Sequence, residues 1–283
     1  MQSGAAQTTA EGKTLLKIQD LSFRYPGESA DELGILALEG IEVDVREGEF
    51  VSIVGPSGCG KSTLLSVVGG LVSGFEGSVS IRGEEVRKPH PDIGVVFQED
   101  STFPWRNALR NVEFGLELRG VPKEERRRRA QEILRLFGLE GFEQRFPGHL
   151  SGGMKQRVAI ARTLVLEPEI LLMDEPFGAL DEQTRIILGE ELLRIQQELR
   201  QTVLFITHNI QESIMLSDRV VILSARPGRI KAVMDVDFPR PRDSTLISST
   251  HFAELVGKIW AVLRDESLKA FGQDSQKKEA NNA

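Results

Sequence analysis

Apolar and polar residues alternate from Leu15 to Phe23 and again from Ile41 to Val45, the two-residue period of strands with one face in a core. The pattern then changes. Phe50 to Val54 is a short buried-type run leading directly into a glycine-rich loop, and Lys61 to Gly69 follows with a helical pattern. Ser78 to Ile81 and Ile93 to Phe97 predict further strands. Over Leu109 to Leu118 and Lys123 to Phe137 the pattern becomes charged and amphipathic, which predicts an inserted helical subdomain at about 99–157. Helix and strand then alternate through Arg157 to Leu166, Ile170 to Met173, Gln183 to Leu199, Val203 to Ile206, Gln211 to Ser217 and Arg219 to Ser224. Such alternation argues for an α/β fold with a mostly parallel sheet, preceded by an antiparallel β subdomain.

Past Phe238 the pattern weakens. Pro239-Arg240-Pro241 reads as a linker, Phe252 to Leu263 as a closing helix and Gln273 to Ala283 as a loose polar tail. The expected division is a disordered lead over 1–13, a domain over 14–238, and a C-terminal helix and tail over 239–283.

At 283 residues and 40% hydrophobic content, the chain can bury a sizeable core. No window approaches the roughly 18 apolar residues that a membrane-spanning helix needs, so a membrane pathway would belong to another polypeptide. The first residues lack the basic-then-apolar order of a signal peptide. A net charge of -7 gives little support to nucleic-acid binding. The single cysteine, Cys59, excludes an intrachain disulfide framework and fits a reducing cytoplasm; it reads as a small loop residue rather than a sensor, although its place before a helix works to lower its thiol pKa.

Gly55-Pro56-Ser57-Gly58-Cys59-Gly60-Lys61-Ser62-Thr63 is a complete phosphate-loop pattern in strand-loop-helix context. Glycines let successive N–H groups turn inward toward phosphate oxygens, and the following helix adds its positive end. Lys61 reaches the outer phosphates, and the Ser62 hydroxyl is placed to ligate Mg²⁺. The expected core is therefore that of a P-loop NTPase (RecA-like). Ile170-Leu171-Leu172-Met173-Asp174-Glu175 is an apolar strand ending in two carboxylates, delivered to the sheet edge where open α/β folds bind ligands. Asp174 suits the metal, and Glu175 suits polarising the water in an in-line displacement.

Leu150-Ser151-Gly152-Gly153-Met154-Lys155-Gln156-Arg157 opens a helix, so Ser151 and the N–H groups of Gly152 and Gly153 offer donors to an anion. With the phosphate loop and the acidic strand, this sequence makes the chain resemble the ABC-transporter ATPase family from about Leu15 to Phe238. That resemblance implies ATP and Mg²⁺ as ligands, and a dimer in which each subunit's signature, Ser151 to Gly153, closes over the partner's ATP. It also implies residue roles. Tyr25 matches the aromatic that stacks on adenine, with a core or surface tyrosine as the rival reading. Gln98 matches the glutamine that senses Mg²⁺ and the attacking water. Ala179-Leu180-Asp181 matches the loop that touches the opposite phosphate loop, with Gly178 where Ser is common. His208 matches the histidine on the γ-phosphate, with Asn209 where Asp is more usual. His90, His149 and His251 match no such role.

Phe103-Pro104-Trp105-Arg106 stands where the family docks a short helix of the membrane subunit, with packing inside the helical subdomain as the rival reading. Together with Leu216 to Ser224 and Arg226-Pro227-Gly228-Arg229-Ile230, it resembles the nitrate, sulfonate, taurine and bicarbonate branch of importers. The implied protein is an importer ATPase, a homodimer or a pair with a homologous subunit. It would lie peripherally on the cytoplasmic face of the membrane through a permease, and indirectly serve an extracytoplasmic solute-binding protein. The alternative is a soluble ABC-type ATPase of nucleic-acid maintenance, which would carry a long coiled-coil or zinc-bearing insertion between Gln98 and Ser151. That interval is short and has no cysteine. The run Arg126 to Arg129 beside Glu124 and Glu125 reads as a solvated helix face.

Overall fold

The computed structural model describes residues 12–27, 34–99 and 101–281, so residues 1–11 of the expected lead lie outside it. In chain order the elements are β1 (Thr14–Arg24), β2 (Leu36–Arg46), β3 (Phe50–Val54), α1 (Lys61–Val68), β4 (Glu76–Ile81), β5 (Glu84–Glu85) and β6 (Ile93–Val96). The helices α2 (Ala108–Leu118), α3 (Lys123–Leu136) and α4 (Gly152–Leu164) follow. Then come β7 (Ile170–Asp174), α5 (Glu182–Leu199), β8 (Thr202–Ile206), α6 (Ile210–Leu216), β9 (Arg219–Leu223), β10 (Ile230–Asp235) and α7 (Thr250–Asn281).

Two sheets result. One is antiparallel in the order β2-β1-β4-β5, and the other runs β10-β9-β3-β8-β7-β6. Its five strands from β9 to β6 are parallel, and β10 alone pairs antiparallel at the edge. The central strands are buried throughout, yet the two-residue period still sorts their side chains. Val51, Ile53, Leu172, Leu204 and Val221 join one core with α1 and the antiparallel sheet. Phe50, Leu171, Met173, Phe205 and Ile222 join the other with α2, α4, α5 and α7. Each such fully buried side chain contributes about 1.5–3 kcal/mol of burial free energy before entropy is counted.

The structure departs from the sequence reading in four places. β10 was not expected, because its alternate residues are only half-buried and it follows a glycine turn. The segment around Pro239 to Pro241 is docked rather than a free linker. Arg240 bonds the Asp218 carboxylate at 2.8 Å and Gln196 Oε1 at 2.7 Å. Buried Arg242 donates to the carbonyls of Ile214, Ser217, Val236 and Phe238 at 2.6–3.3 Å. The closing helix runs on to Asn281, since the Gln, Lys, Glu and Ala of this stretch are good helix formers even without an apolar stripe. Lastly, only part of the basic run is a solvated face. Arg128 pairs outward with Glu125 and Glu132, whereas Arg129 reaches back to the Val165 carbonyl at 2.8 Å and Arg126 lies by Glu113.

Candidate functional site

Parallel strands deliver their carboxyl ends to one edge, and here that edge gathers the loop after β3, Gln98 after β6, Asp174 and Glu175 at the end of β7, and His208 after β8. In the loop, Gly58 and Gly60 have φ of +72° and +103°. Gly60 has a second reason to be glycine: a Cβ there would lie 2.9 Å from both the Ala37 carbonyl oxygen and Leu38 Cδ2. The buried Lys61 donates from Nζ to the carbonyls of Gly55 and Pro56 at 3.0 and 3.1 Å, which holds its ammonium against the loop. A cleft of about 780 Å³ opens over Ser57, Gly58, Lys61, Ser62 and Thr63, with Tyr25 and Glu175 also on its walls. Tyr25 is half exposed, and its hydroxyl meets Thr63 Oγ1 at 3.0 Å.

Asp174 passes a test for a cation. Its Oδ1 is buried with no hydrogen-bond partner, and the Ser62 hydroxyl lies near enough to the same carboxylate to pull its pKa down. Burial pushes its pKa above the ordinary carboxylate value, more than Ser62 pulls it down. A buried oxygen left over beside a serine hydroxyl at a phosphate loop fits Mg²⁺. Glu175 adopts a left-handed backbone, φ +42°, donates its N–H to the Ile206 carbonyl at 2.9 Å, and meets His208 Nδ1 through Oε2 at 2.9 Å. Gln98 lies beside this turn: a methyl placed on Gly178 would sit 3.8 Å from Gln98 Nε2 and from Glu175 Cβ.

The signature lies elsewhere. Ser151 caps α4, its Oγ accepting the Met154 N–H at 3.3 Å. A Cβ on Gly152 or Gly153 would lie 3.5 Å from Leu180 Cδ2 or 3.1 Å from Thr184 Cγ2, so the helix start packs on the Ala179 to Asp181 loop of its own chain. Asp181 caps α5 by accepting the Thr184 N–H at 3.0 Å, which with the Thr184 hydroxyl holds its carboxyl below the usual range. Among the described residues, none of Ser151, Gly152 and Gly153 lines the cleft over Lys61.

The ABC transporter family model matches residues 38–178. An ABC transporter ATP-binding protein of Methanocaldococcus jannaschii is 52% identical over 260 residues, covering 91% of this chain and 94% of that protein. The chain belongs to the ABC transporter ATPase family. A taurine import ATP-binding protein of Rhizobium johnstonii is 47% identical over 240 residues, covering 83% of this chain and 92% of that protein. Among solved structures, a dimeric ATP-binding cassette in a post-hydrolysis state with ADP and Pi superposes with a TM-score of 0.68 at 34% identity. That match covers 80% of this chain and 100% of the other.

As an ABC ATPase the chain binds and hydrolyses ATP, and its phosphate loop, acidic strand end and histidine stand at the one sheet edge. Between Gln98 and Ser151 the described residues form the two short helices α2 and α3, with no long coiled coil. Before α2, Trp105 is 72% exposed while Phe103 packs on Phe114, so this turn divides between surface and core. The buried side chain of Asn111 holds it, accepting from the Phe103 N–H at 2.8 Å and donating to three carbonyls of the turn.

Three contributors escaped the motif reading. Asn111 is one. Glu212 is another: it bonds the Thr207 hydroxyl, and its own N–H is capped by Asn209, so it fastens the turn that carries His208. The third is Arg226, read only as part of the branch segment Arg226 to Ile230, whose guanidinium lies against Gly58 and lines the cleft. Nothing local in the sequence signals them, because each acts through contacts that the fold brings together. Cys59 is the small packed loop residue the sequence suggests, but the expected lowering of its thiol pKa is reversed, since burial pushes it up despite the nearby Lys61.

Proposed function

We propose that this chain is the ATP-hydrolysing subunit of an importer for nitrate, a sulfonate, taurine or a related small solute. Two copies would close around two ATP molecules and drive a separate permease, which would hold the chain to the cytoplasmic face of the membrane. The observation that carries the reading is the ATP cleft without its own signature residues. A capped helix start that offers donors away from its own chain's cleft is suited to meet a phosphate held by a second copy. The relative named for taurine import supports the transport setting. No helix among the described residues is long and apolar enough to cross a membrane, consistent with a separate permease.

Within one site, the loop N–H groups and Lys61 hold the phosphate chain and Tyr25 stacks on the adenine. Ser62, Asp174 and Gln98 would hold Mg²⁺, which when bound neutralises charge on the terminal phosphate oxygens. Glu175 takes the proton of the water that attacks the γ-phosphorus, as the bond to the ADP oxygen breaks. His208, held by Glu175, contacts the γ-phosphate, and Asp181 faces the opposite phosphate loop. The exposed Trp105 suits the permease contact.

The test is purification of a tagged chain from detergent-solubilised native membranes. A polytopic permease should travel with it in fixed ratio and survive a high-salt wash. Recovery of the tagged chain from the soluble fraction alone, with no polytopic companion, would overturn the transport reading.

A further inference from the structure

Arg226 is the second cationic side chain, with Lys61, on the cleft. Its Nε and Nη2 both donate to the Gly58 carbonyl, at 3.1 and 3.0 Å. Gly58 is one of two left-handed glycines in the phosphate loop. Glycine has the widest backbone freedom of any residue, so two bonds on its carbonyl restrict one of the least constrained points of the loop.

The turn carrying Arg226 is itself fastened. Ser224 and Arg229 close it, with the Ser224 N–H donating to the Arg229 carbonyl at 2.9 Å and Ser224 Oγ accepting the Arg229 N–H at 3.0 Å. The Gly228 N–H donates to the Ala37 carbonyl at 2.8 Å, tying the turn to β2. The N–H of Ala225 goes elsewhere: it donates to Glu266 Oε2 at 3.0 Å, on α7. Glu266 is 2% exposed, and its other oxygen accepts from Lys269 at 2.7 Å and lies 3.5 Å from Lys231. A buried carboxylate with these partners is a fixed point, because moving it would leave a charge without compensation.

We propose that the C-terminal helix sets nucleotide affinity through this relay: Glu266 seats the turn at Ala225, and Arg226 on that turn fixes Gly58 so that the loop amides stay aimed at the phosphate chain. Arg226 is thus a positioning residue that pre-organises the loop. The inference rests on residues 55–63 binding nucleotide, and not on the transport reading.

The experiment uses the full chain and measures ADP affinity with excess Mg²⁺ by calorimetry, alongside steady-state ATPase. Freeing one glycine backbone that must be reordered on binding weakens affinity by about tenfold, so Arg226→Gln should raise the ADP Kd and the ATP KM by that factor. Its kcat and unfolding temperature should stay near wild type, the signature of lost uniform binding rather than lost folding. Arg226→Lys keeps the charge but cannot set two donors on one carbonyl, and should remain weakened. Full recovery in Arg226→Lys would mean that charge alone acts, and would overturn the relay.

Glu266→Ala should weaken ADP binding, and the double variant with Arg226→Gln should be no weaker than Arg226→Gln alone. Unchanged ADP affinity in a folded Glu266→Ala variant, or multiplying effects in the double, would refute the link to α7. If Glu266→Ala does not fold, hydrogen exchange in Glu266→Gln decides: peptides covering 55–63 and 224–229 should both exchange faster, and unchanged exchange in 55–63 overturns the proposal. Lys61→Ala serves as the control, because normal ADP binding there would show that the loop reading itself has failed.

Discussion

Glu175 holds a backbone conformation that residues other than glycine seldom adopt, at a cost of order 1 kcal/mol. Its surroundings enforce it. The N–H is fixed on the Ile206 carbonyl and the carboxylate on His208, so the side chain leaves the end of β7 at a defined angle beside Gln98. Replacing it with Gln preserves the shape and an oxygen for His208 while removing the acceptor for the water's proton. Glu175→Gln should therefore bind ATP normally and lose about 10²- to 10⁴-fold in kcat, measured by phosphate release. Hydrolysis at the wild-type rate would show that another group is the base. Cys59, two residues before Lys61, is by contrast a packing residue, fully buried with its thiol held protonated at neutral pH.

The most heavily bonded side chain in the stretch between β10 and α7 is Arg242. Arg242 donates to four carbonyls from α6, the residue after it, and the chain leaving β10. Burial pulls its pKa down to about 10, with Arg240 adding to the effect, so the guanidinium stays charged at neutral pH. Arg242→Met would leave those carbonyls buried without donors and should lower unfolding free energy by about 3 kcal/mol or more, read from denaturant midpoints at neutral pH. A loss under about 1 kcal/mol would mean that water replaces the guanidinium.

This side chain also shows where the sequence was legible. β3, β7, β8 and β9 stand out because each is a bounded apolar run, and the phosphate loop, Asp174 and Glu175 stand out because each lies at the end of such a run, whereas His208 is singled out by the family resemblance. The roles of Arg242 and Arg226 do not stand out, since Arg242 joins carbonyls 4 to 28 positions away, Arg226 reaches a partner 168 positions away, and no local period records either. A proline-rich stretch likewise reports its backbone limits, and not the arginines that dock it.

In the single chain the two glycine motifs serve different places. Gly55 to Thr63 forms the floor of the cleft, whereas Gly152 and Gly153 pack toward Leu180 and Thr184 at the start of a capped helix. If each ATP lies between the loop of one copy and the signature of another, defects should segregate by site and not by subunit. Consider one copy carrying Lys61→Ala and another carrying Ser151→Arg. In the mixed dimer both defects fall on the same site, because the damaged loop faces the damaged signature. The remaining site pairs an intact loop with an intact signature. Each variant alone should be nearly inactive, since a homodimer of either has both sites damaged. Mixing them should restore activity to a share set by the fraction of mixed dimers, which at equal amounts and random pairing is about half. Restored hydrolysis, followed as phosphate release against the ratio of the two variants, should peak at equal amounts. A mixture that assembles normally yet stays as inactive as its parents would place each signature on its own subunit's ATP, and the dimer reading would fall.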